Sequence, residues 1–378
     1  MKSKRWLCVF FLLFFAGMGG YMAINYHFDP LGYFTVQKEE PYYRSNIYTR
    51  AIKSEYVTKN ADNYDAVIIG GSKSGVLSTK LLSQYTGKRY YNFYFNKGNF
   101  SDYLAYSRYL VEHTNISEIT LHLSGFEVNA YKPGSGTVLQ IPALVSGNSW
   151  NRLTEYCSFL LTDLNTLREN INKGTDDSLL DDITNGERNR LRSYKKMLAD
   201  PEKYILRNVT VNFNKHLKKM FQQKKASSAP AYEDNLNALR QIKTLCEENN
   251  VTLNVVIGAG FIGERDSYEC DRYYAYLNEL VTITDVWDFS DFNDINMNPY
   301  NFVNRKHYNN NVADLMVNTM YGQYSYEGFG IYLTKDNIND YLKERKTKFE
   351  QLKEEFETTG TVALQGMEDG SYLPVSIE

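Results

Sequence analysis

The sequence contains few cysteines and histidines for its 378 residues. Its four cysteines, Cys8, Cys157, Cys246 and Cys270, stand at wide and irregular spacing, which is typical of neither a disulfide framework nor a zinc site. No group of histidines, cysteines and carboxylates has a usable metal-ligand spacing, so we predict no metal. A formal net charge of −3 gives no overall attraction to nucleic acid, and we expect no nucleic-acid partner.

Only one stretch is apolar and long enough to span a bilayer. Residues 6–26 carry no charge, and at about 1.5 Å per residue they match a hydrocarbon core of roughly 30 Å. Lys2, Lys4 and Arg5 precede the stretch and the next basic residue is Lys38, so the positive-inside rule places the N-terminus in the cytoplasm and the rest outside. A cleavable signal peptide is the alternative, but the stretch lacks a clean small-x-small cleavage site. We therefore predict a single-pass cell-membrane anchor over residues 1–28.

Beyond a connecting segment at residues 29–60, short apolar runs alternate with helical patterns. Strands are predicted at 65–69, 89–95, 118–123, 251–257 and 283–289. Alternating strands and helices predict a parallel sheet with right-handed crossovers. Five such strands fit an α/β, flavodoxin-like three-layer sandwich with strand order 2-1-3-4-5, whose ligands bind at the carboxyl ends of the strands. We assign this domain to residues 61–330.

The alternation stops after the third strand. Residues from about 133 to 230 are polar and mostly helical in pattern, which indicates an insertion. Trp150 in the insertion and Trp287 in strand five could stack on a carbohydrate, and core packing is an equally good interpretation of both. The basic stretch Lys215–Lys225 could meet an anionic polymer or lipid headgroups, or form a solvated helix face. Residues 331–378 are predicted to form a charged surface helix, from Lys335 to Thr358, and a loose tail.

A glycine-rich turn, Ile69-Gly-Gly-Ser72-Lys-Ser-Gly75, directly follows the first strand. Such a turn can present a side chain at the top of a sheet, facing backbone N–H groups and a helix N-terminus. The turn lacks the spacing of a Walker A loop and of a dinucleotide fingerprint, which argues against nucleotide binding. An ordinary turn with an incidental serine remains an alternative to our interpretation of Ser72 as a nucleophile.

A serine nucleophile needs a base, which is usually histidine. Of the five histidines, only His307 lies between the last strand and the last core helix. That loop should reach the same face of the sheet as the Ser72 turn. The other four lie at the membrane exit, at a helix end, inside strand three and in the insertion: His27, His113, His122 and His216. We therefore predict His307 as the base.

These features resemble the SGNH (GDSL-type) hydrolases, in particular membrane-anchored bacterial members that partner membrane-bound O-acyltransferases in teichoic-acid D-alanylation and alginate acetylation. Gly70-Gly71-Ser72 matches the nucleophile motif of the family, and Gly98 matches the glycine after strand two that supplies a backbone oxyanion donor. Asn304-Arg-Lys-His307 matches the Asp-x-x-His motif. The resemblance runs from about Tyr64 to Tyr321, excluding the insertion.

Two positions depart from the family pattern. Asn304 stands where the family has Asp; an amide oxygen can hold the imidazole ring but cannot stabilise imidazolium by charge. Asp288, Asp291 or Asp294 could take over that role. Glu127 stands where the family supplies an asparagine to the oxyanion, so the side-chain oxyanion donor is unassigned.

The resemblance implies an extracytoplasmic, serine-dependent O-acyl esterase or acyltransferase that needs no cofactor. Its expected substrate is a surface polysaccharide or anionic cell-wall polymer, and its expected partner a membrane-bound O-acyltransferase. Ser72, His307 and Asn304 would be catalytic, with the N–H groups of Ser72 and Gly98 holding the oxyanion. The alternative is a catalytically degenerate, membrane-tethered scaffold or glycan-binding subunit, which Asn304 and Glu127 make credible.

Overall fold

The computed structural model describes residues 2–34, 42–44, 49–125, 141–172, 180–222, 233–267, 271–322 and 326–366. Glu127, Lys224, Lys225, Cys270 and the end of the predicted tail lie outside these ranges.

Helices and strands alternate along much of the described chain. The helices are α1 (Lys2–Phe28), α2 (Thr49–Lys59), α3 (Thr79–Thr86), α4 (Phe100–His113), α5 (Ala143–Ser146), α6 (Ser149–Leu160), α7 (Leu164–Asn172), α8 (Leu191–Ala199), α9 (Pro201–Asn208), α10 (Phe213–Phe221), α11 (Glu233–Glu248), α12 (Asp271–Ile283), α13 (Asp294–Met297), α14 (Asn310–Met320) and α15 (Ile338–Thr359). The strands are β1 (Tyr42–Arg44), β2 (Ala66–Gly70), β3 (Tyr90–Tyr94), β4 (Glu118–Leu123), β5 (Leu180–Asp182), β6 (Thr252–Ile257), β7 (Val286–Asp288), β8 (Phe302–Asn304), β9 (His307–Tyr308) and β10 (Ile331–Leu333).

The main sheet has six strands in the order β3-β2-β4-β6-β7-β10. Its first five are parallel, and they are the five predicted strands in the predicted order. The prediction of a five-stranded sheet is wrong by one strand. β10 comes from the segment predicted to lie beyond the domain, and it pairs antiparallel with β7, so that Ile331 faces Asp288.

Both faces of the sheet are covered, which explains why every residue of β2, β3 and β4 is buried. Because successive side chains point to opposite faces, Val67 and Ile69 of β2 join a core with α4, α11 and α12. Ala66 and Ile68 join the opposite core, with α3 and α14. Because β2, β3 and β4 run parallel, their carboxyl ends lie at one edge of the sheet.

The flanking segments contribute more structure than their sequence patterns indicated. α2 lies in the predicted connecting segment, yet its Lys53 is buried and donates to the carbonyls of Asn92 and Gly186 at 2.9 Å and 2.6 Å. The prediction of a surface helix after residue 335 also needs correction, because Arg345 of α15 is fully buried against Asp288. The described part of the insertion is mostly helical, and its β5 pairs antiparallel with β1.

Residues 4–28 of α1 are long and apolar enough to cross a membrane. The end of this helix is attached to the insertion. Tyr21 and Asn25 both donate to the carbonyl of Thr162, between α6 and α7, and Asn25 is completely buried. Tyr26 packs against Phe34 at a ring-centroid distance of 4.9 Å.

Candidate active site

Ser72 lies in a tight turn at the carboxyl end of β2. Two hydrogen bonds close the turn, since the backbone N–H and the hydroxyl of Ser74 both donate to the Gly71 carbonyl, at 3.0 Å and 2.9 Å. A Cβ on Gly70 would lie only 2.6 Å from the Ser74 hydroxyl oxygen, so only glycine fits there. The turn leaves Ser72 partly exposed, while Lys73 and Ser74 are buried.

His307 lies on a small β-hairpin formed by β8 and β9. Asn304 and His307 face each other across the two-residue turn Arg305-Lys306. The three-residue spacing therefore places the two side chains on either side of one turn, within hydrogen-bonding distance of each other. Arg305 fixes the hairpin to the insertion and to the loop after β6, donating from its backbone to the Asn208 carbonyl at 3.1 Å and from its guanidinium to the Gly263 carbonyl at 3.2 Å.

The structure brings Ser72, His307 and Asn304 into one chain of hydrogen bonds. Ser72 Oγ lies 2.8 Å from His307 Nε2, and His307 Nδ1 lies 2.9 Å from Asn304 Oδ1. Asn304 Oδ1 also accepts the backbone N–H of Lys306 at 3.0 Å, which identifies this atom as the amide oxygen. Nδ1 must then carry the ring hydrogen. Nε2 is left as an acceptor, and Ser72 donates to it.

The two predicted oxyanion donors lie on neighbouring loops. A Cβ on Gly71 would lie 3.8 Å from the Gly98 backbone nitrogen, so Gly98 borders the Ser72 turn. A Cβ on Gly98 itself would lie 2.8 Å from the rings of Phe95 and Tyr103, which explains the glycine. Within the described ranges, neither the Ser72 N–H nor the Gly98 N–H has an acceptor in the chain. Both are therefore available to a ligand.

Two hydroxyl groups near these donors could supply a side-chain oxyanion contact. Ser124 Oγ and the Tyr103 hydroxyl oxygen would lie 3.6 Å and 3.7 Å from a Cβ on Gly71. Glu127, which occupies the position where the resemblance predicts a side-chain donor, lies outside the described residues. Ser124 directly follows β4, and its place at the carboxyl end of that strand is the sequence signal that could have identified it.

The surroundings of His307 are electropositive. Burial lowers the pKa of its imidazole to about 2, and four cations add to the effect, namely Arg190, Arg188, Lys73 and Lys306. His307 therefore stays neutral over the physiological pH range. A neutral ring can accept the Ser72 proton, but the imidazolium that results is destabilised by the same cations.

Lys73 follows Ser72 in the turn and forms a buried salt bridge with Glu264, at 2.8 Å. Burial raises the pKa of the Glu264 carboxyl group, and the Lys73 ammonium opposes that rise. A buried ion pair of this kind contributes little net stability, but the loss of one partner leaves an uncompensated charge. The pair holds the 3-10 helix Ile262–Ser267 against the Ser72 turn.

The loop that covers the turn, residues 183–190 of the insertion, was not predicted from the sequence. The Arg188 N–H donates to the Gly75 carbonyl at 2.7 Å. Glu187 accepts both the backbone N–H and the hydroxyl of Thr79, at 2.7 Å each. Arg190 reaches the Ser72 carbonyl from the far end of the loop, at 3.5 Å. No local sequence signal marks these contacts, because they cross more than a hundred residues.

The other candidates lie elsewhere. Asp288 accepts from Tyr341 and pairs with Arg345, and Asp291 pairs with Lys348, so neither replaces Asn304 beside His307. The remaining candidates have separate surroundings: Asp294 begins α13, Trp287 packs against Phe289 and Tyr332, Trp150 is 71% exposed on α6, and Lys215, Lys218 and Lys219 lie on α10. Among the described residues, no group of three or more histidines, cysteines or carboxylates could hold a metal ion.

No family model matches this chain, and neither a curated protein nor a solved structure matches it.

Proposed function

We propose that this protein is an extracytoplasmic, serine-dependent O-acyl esterase or acyltransferase of the SGNH type. The observation that carries the proposal is the continuous hydrogen-bonded chain from Asn304 through His307 to Ser72. Nucleophile, base and orienting group in this order are the geometric signature of an activated serine. The N–H groups of Ser72 and Gly98, which have no acceptor among the described residues, add the second requirement, a place for an oxyanion.

The proposed reaction has two steps. In the first, His307 Nε2 takes the proton of the Ser72 hydroxyl while Ser72 Oγ bonds to an ester carbonyl carbon. The oxyanion that forms accepts from the N–H groups of Ser72 and Gly98. The carbon–oxygen bond to the leaving alcohol then breaks, and the alcohol takes the proton from His307. In the second step, water or a sugar hydroxyl attacks the acyl-serine by the same route, and Ser72 regains its proton.

Asn304 orients the ring without adding charge. Its amide oxygen holds the tautomer in which Nε2 is free, as a carboxylate would. It does not stabilise the imidazolium, which forms here among four cations. We therefore expect slow chemistry on simple neutral esters.

The proposed location is the outer face of the cell membrane, with α1 as a retained anchor. The buried Asn25 and the Tyr21–Thr162 contact support retention, because cleavage after the apolar stretch would remove structural contacts of the folded domain. A surface polysaccharide or anionic cell-wall polymer is the proposed substrate, and a membrane-bound O-acyltransferase the proposed partner. Mass spectrometry of the purified membrane-bound chain tests retention: an intact N-terminus is expected, and a chain starting beyond residue 28 would contradict it.

A fluorophosphonate probe tests the enzymatic proposal on the detergent-solubilised full chain. The probe should label the parent protein, and label should be lost in both Ser72→Ala and His307→Ala. Matched controls are Ser158→Ala on α6 and His113→Ala on α4, which remove the same groups from exposed positions and should label normally. No labelling of a folded parent, or full labelling of His307→Ala, would leave the alternative, a membrane-tethered scaffold or glycan-binding subunit.

A further inference from the structure

Arg190 is a buried cation beside the proposed nucleophile. It is 7% exposed and stands immediately before α8, and its Nη2 lies 3.5 Å from the Ser72 carbonyl. Its Nε is buried and has no hydrogen-bond partner. No carboxylate lies within salt-bridge distance of Arg190 among the residues that the structure describes. Within the part of the chain that the structure describes, the guanidinium is therefore held in place without a carboxylate counter-charge.

The two other arginines buried in the described ranges are treated differently. Arg50 binds Asp102 through two nitrogens, at 2.6 Å and 2.9 Å. Arg345 pairs with Asp288 at 3.4 Å. A buried guanidinium without such a partner is unfavourable for folding, because its hydration is not replaced. An unpaired Arg190 beside the active serine is consequently difficult to explain as a structural device.

Arg190 also remains charged. Burial is the main cause that lowers the pKa of its guanidinium, and Arg188 adds to it, but the result is a pKa of about 10. At neutral pH the site thus presents a fixed positive charge next to Ser72. Arg188 and Lys306 add to this field, and Lys73 is already balanced by Glu264.

From this arrangement we infer that Arg190 is an anion subsite, which binds a phosphodiester or carboxylate group of the substrate next to the ester that Ser72 attacks. The planar guanidinium fork suits both groups, since each offers two oxygens at matching spacing. This inference rests on the proposed function, because it names the class of substrate for that reaction. It also explains how His307 can work, since a bound anion would offset the cations that destabilise the imidazolium.

Direct binding tests the subsite without requiring turnover. Dimethyl phosphate and acetate are titrated into the full-length Ser72→Ala protein in detergent, with binding followed by NMR line broadening of each small molecule. Neutral trimethyl phosphate is the control ligand. Saturable binding of at least one anion is expected, and it should weaken about tenfold or more in Arg190→Gln, as for the loss of a charge-assisted hydrogen bond. The anion that binds more tightly identifies the substrate group.

The matched control is Arg192→Gln, which removes the same charge from an exposed position two residues away and should leave binding unchanged. Arg190→Lys keeps the charge but not the fork, and intermediate affinity is expected. Absence of saturable binding to the parent, or equal binding by Arg190→Gln, would overturn the subsite. These outcomes are independent of fluorophosphonate labelling, so failure of the subsite and failure of the enzymatic proposal are distinguishable.

Thermal unfolding distinguishes the anion subsite from a purely structural role, because the two roles of Arg190 predict opposite changes in the midpoint of unfolding. Arg190→Met removes an unpaired charge and should raise the midpoint of unfolding, as is common where a residue is kept for function at the expense of stability. Arg50→Met breaks a buried pair, leaves Asp102 uncompensated and should lower the midpoint. A fall of similar size in both variants would assign Arg190 a structural role and contradict the inference.

Discussion

Replacing Asn304 by aspartate should turn a neutral hydrogen-bond acceptor into a charged one without moving it. Asn304 Oδ1 already lies 2.9 Å from His307 Nδ1 and 3.0 Å from the Lys306 backbone nitrogen. A carboxylate oxygen can accept both bonds in the same place. Asn304→Asp therefore isolates the effect of charge on the imidazole from the effect of ring orientation.

The magnitude follows from the geometry. The charge centres of imidazolium and carboxylate would be about 4 Å apart, and at an effective dielectric constant of about 20 their attraction is about 4 kcal/mol. This raises the pKa of His307, which is about 2 in the parent protein, by about three pH units. Part of the same energy stabilises the imidazolium formed during attack, so the rate at neutral pH should rise roughly ten- to a thousandfold.

The assay is the rate of fluorophosphonate labelling of Ser72 from pH 4 to pH 9. The parent rate should stay flat on the acid side, because His307 remains neutral. Asn304→Asp should label faster at pH 7 and lose rate as the pH falls through about 5, where the raised pKa of His307 lies. Asn304→Ala loses the ring orientation and should label more slowly than the parent. Asn237→Asp adds the same charge on exposed α11 and serves as the control.

Two results would refute this reasoning. If Asn304→Asp and Asn304→Ala both label at the parent rate, the Asn304–His307 bond does not orient the base. If the parent rate itself falls with a midpoint near 6.5, the cations around His307 do not act on its pKa as the structure indicates.

Three further predictions concern stability, measured by denaturant unfolding. Burial raises the pKa of Asp314 to about 6, so its contribution is present below the unfolded value near 3.8 and is lost as the pH rises through about 6. Asp314→Asn avoids that loss, and its stability relative to the parent should grow by about 3 kcal/mol between pH 3.5 and pH 8; a constant difference would contradict the shift. Gly258→Ala places a Cβ onto His122 Nε2 and should destabilise by about 1–3 kcal/mol, and no change would show that the ring can move aside. Lys73→Met leaves Glu264 buried without its partner and should destabilise by about 3–5 kcal/mol, whereas Lys73→Met with Glu264→Leu should recover most of this; equal losses would indicate that the pair is not coupled.

The sequence determined the elements whose pattern is local. Every residue of β2, β3 and β4 is buried because both faces of these strands are covered, and the alternation of strand-like and helical patterns was enough to predict the parallel order of five strands. The small residues at Gly70 and Gly71 likewise marked the turn that presents Ser72. The Asn304–His307 spacing marked a pair that a hairpin turn brings together.

The tertiary structure alone decided the features that depend on contacts between residues far apart in the chain. β10 pairs with β7 across more than forty residues, and no periodicity of its own distinguishes three residues of an edge strand. The surface-helix pattern of α15 did not indicate that Arg345 is buried against Asp288, since a charged residue in a charged helix gives no local sign of its partner. The same holds for Arg190: its burial, its lack of a carboxylate partner among the described residues and its approach to Ser72 depend on a loop folding back over a turn 118 residues earlier in the chain.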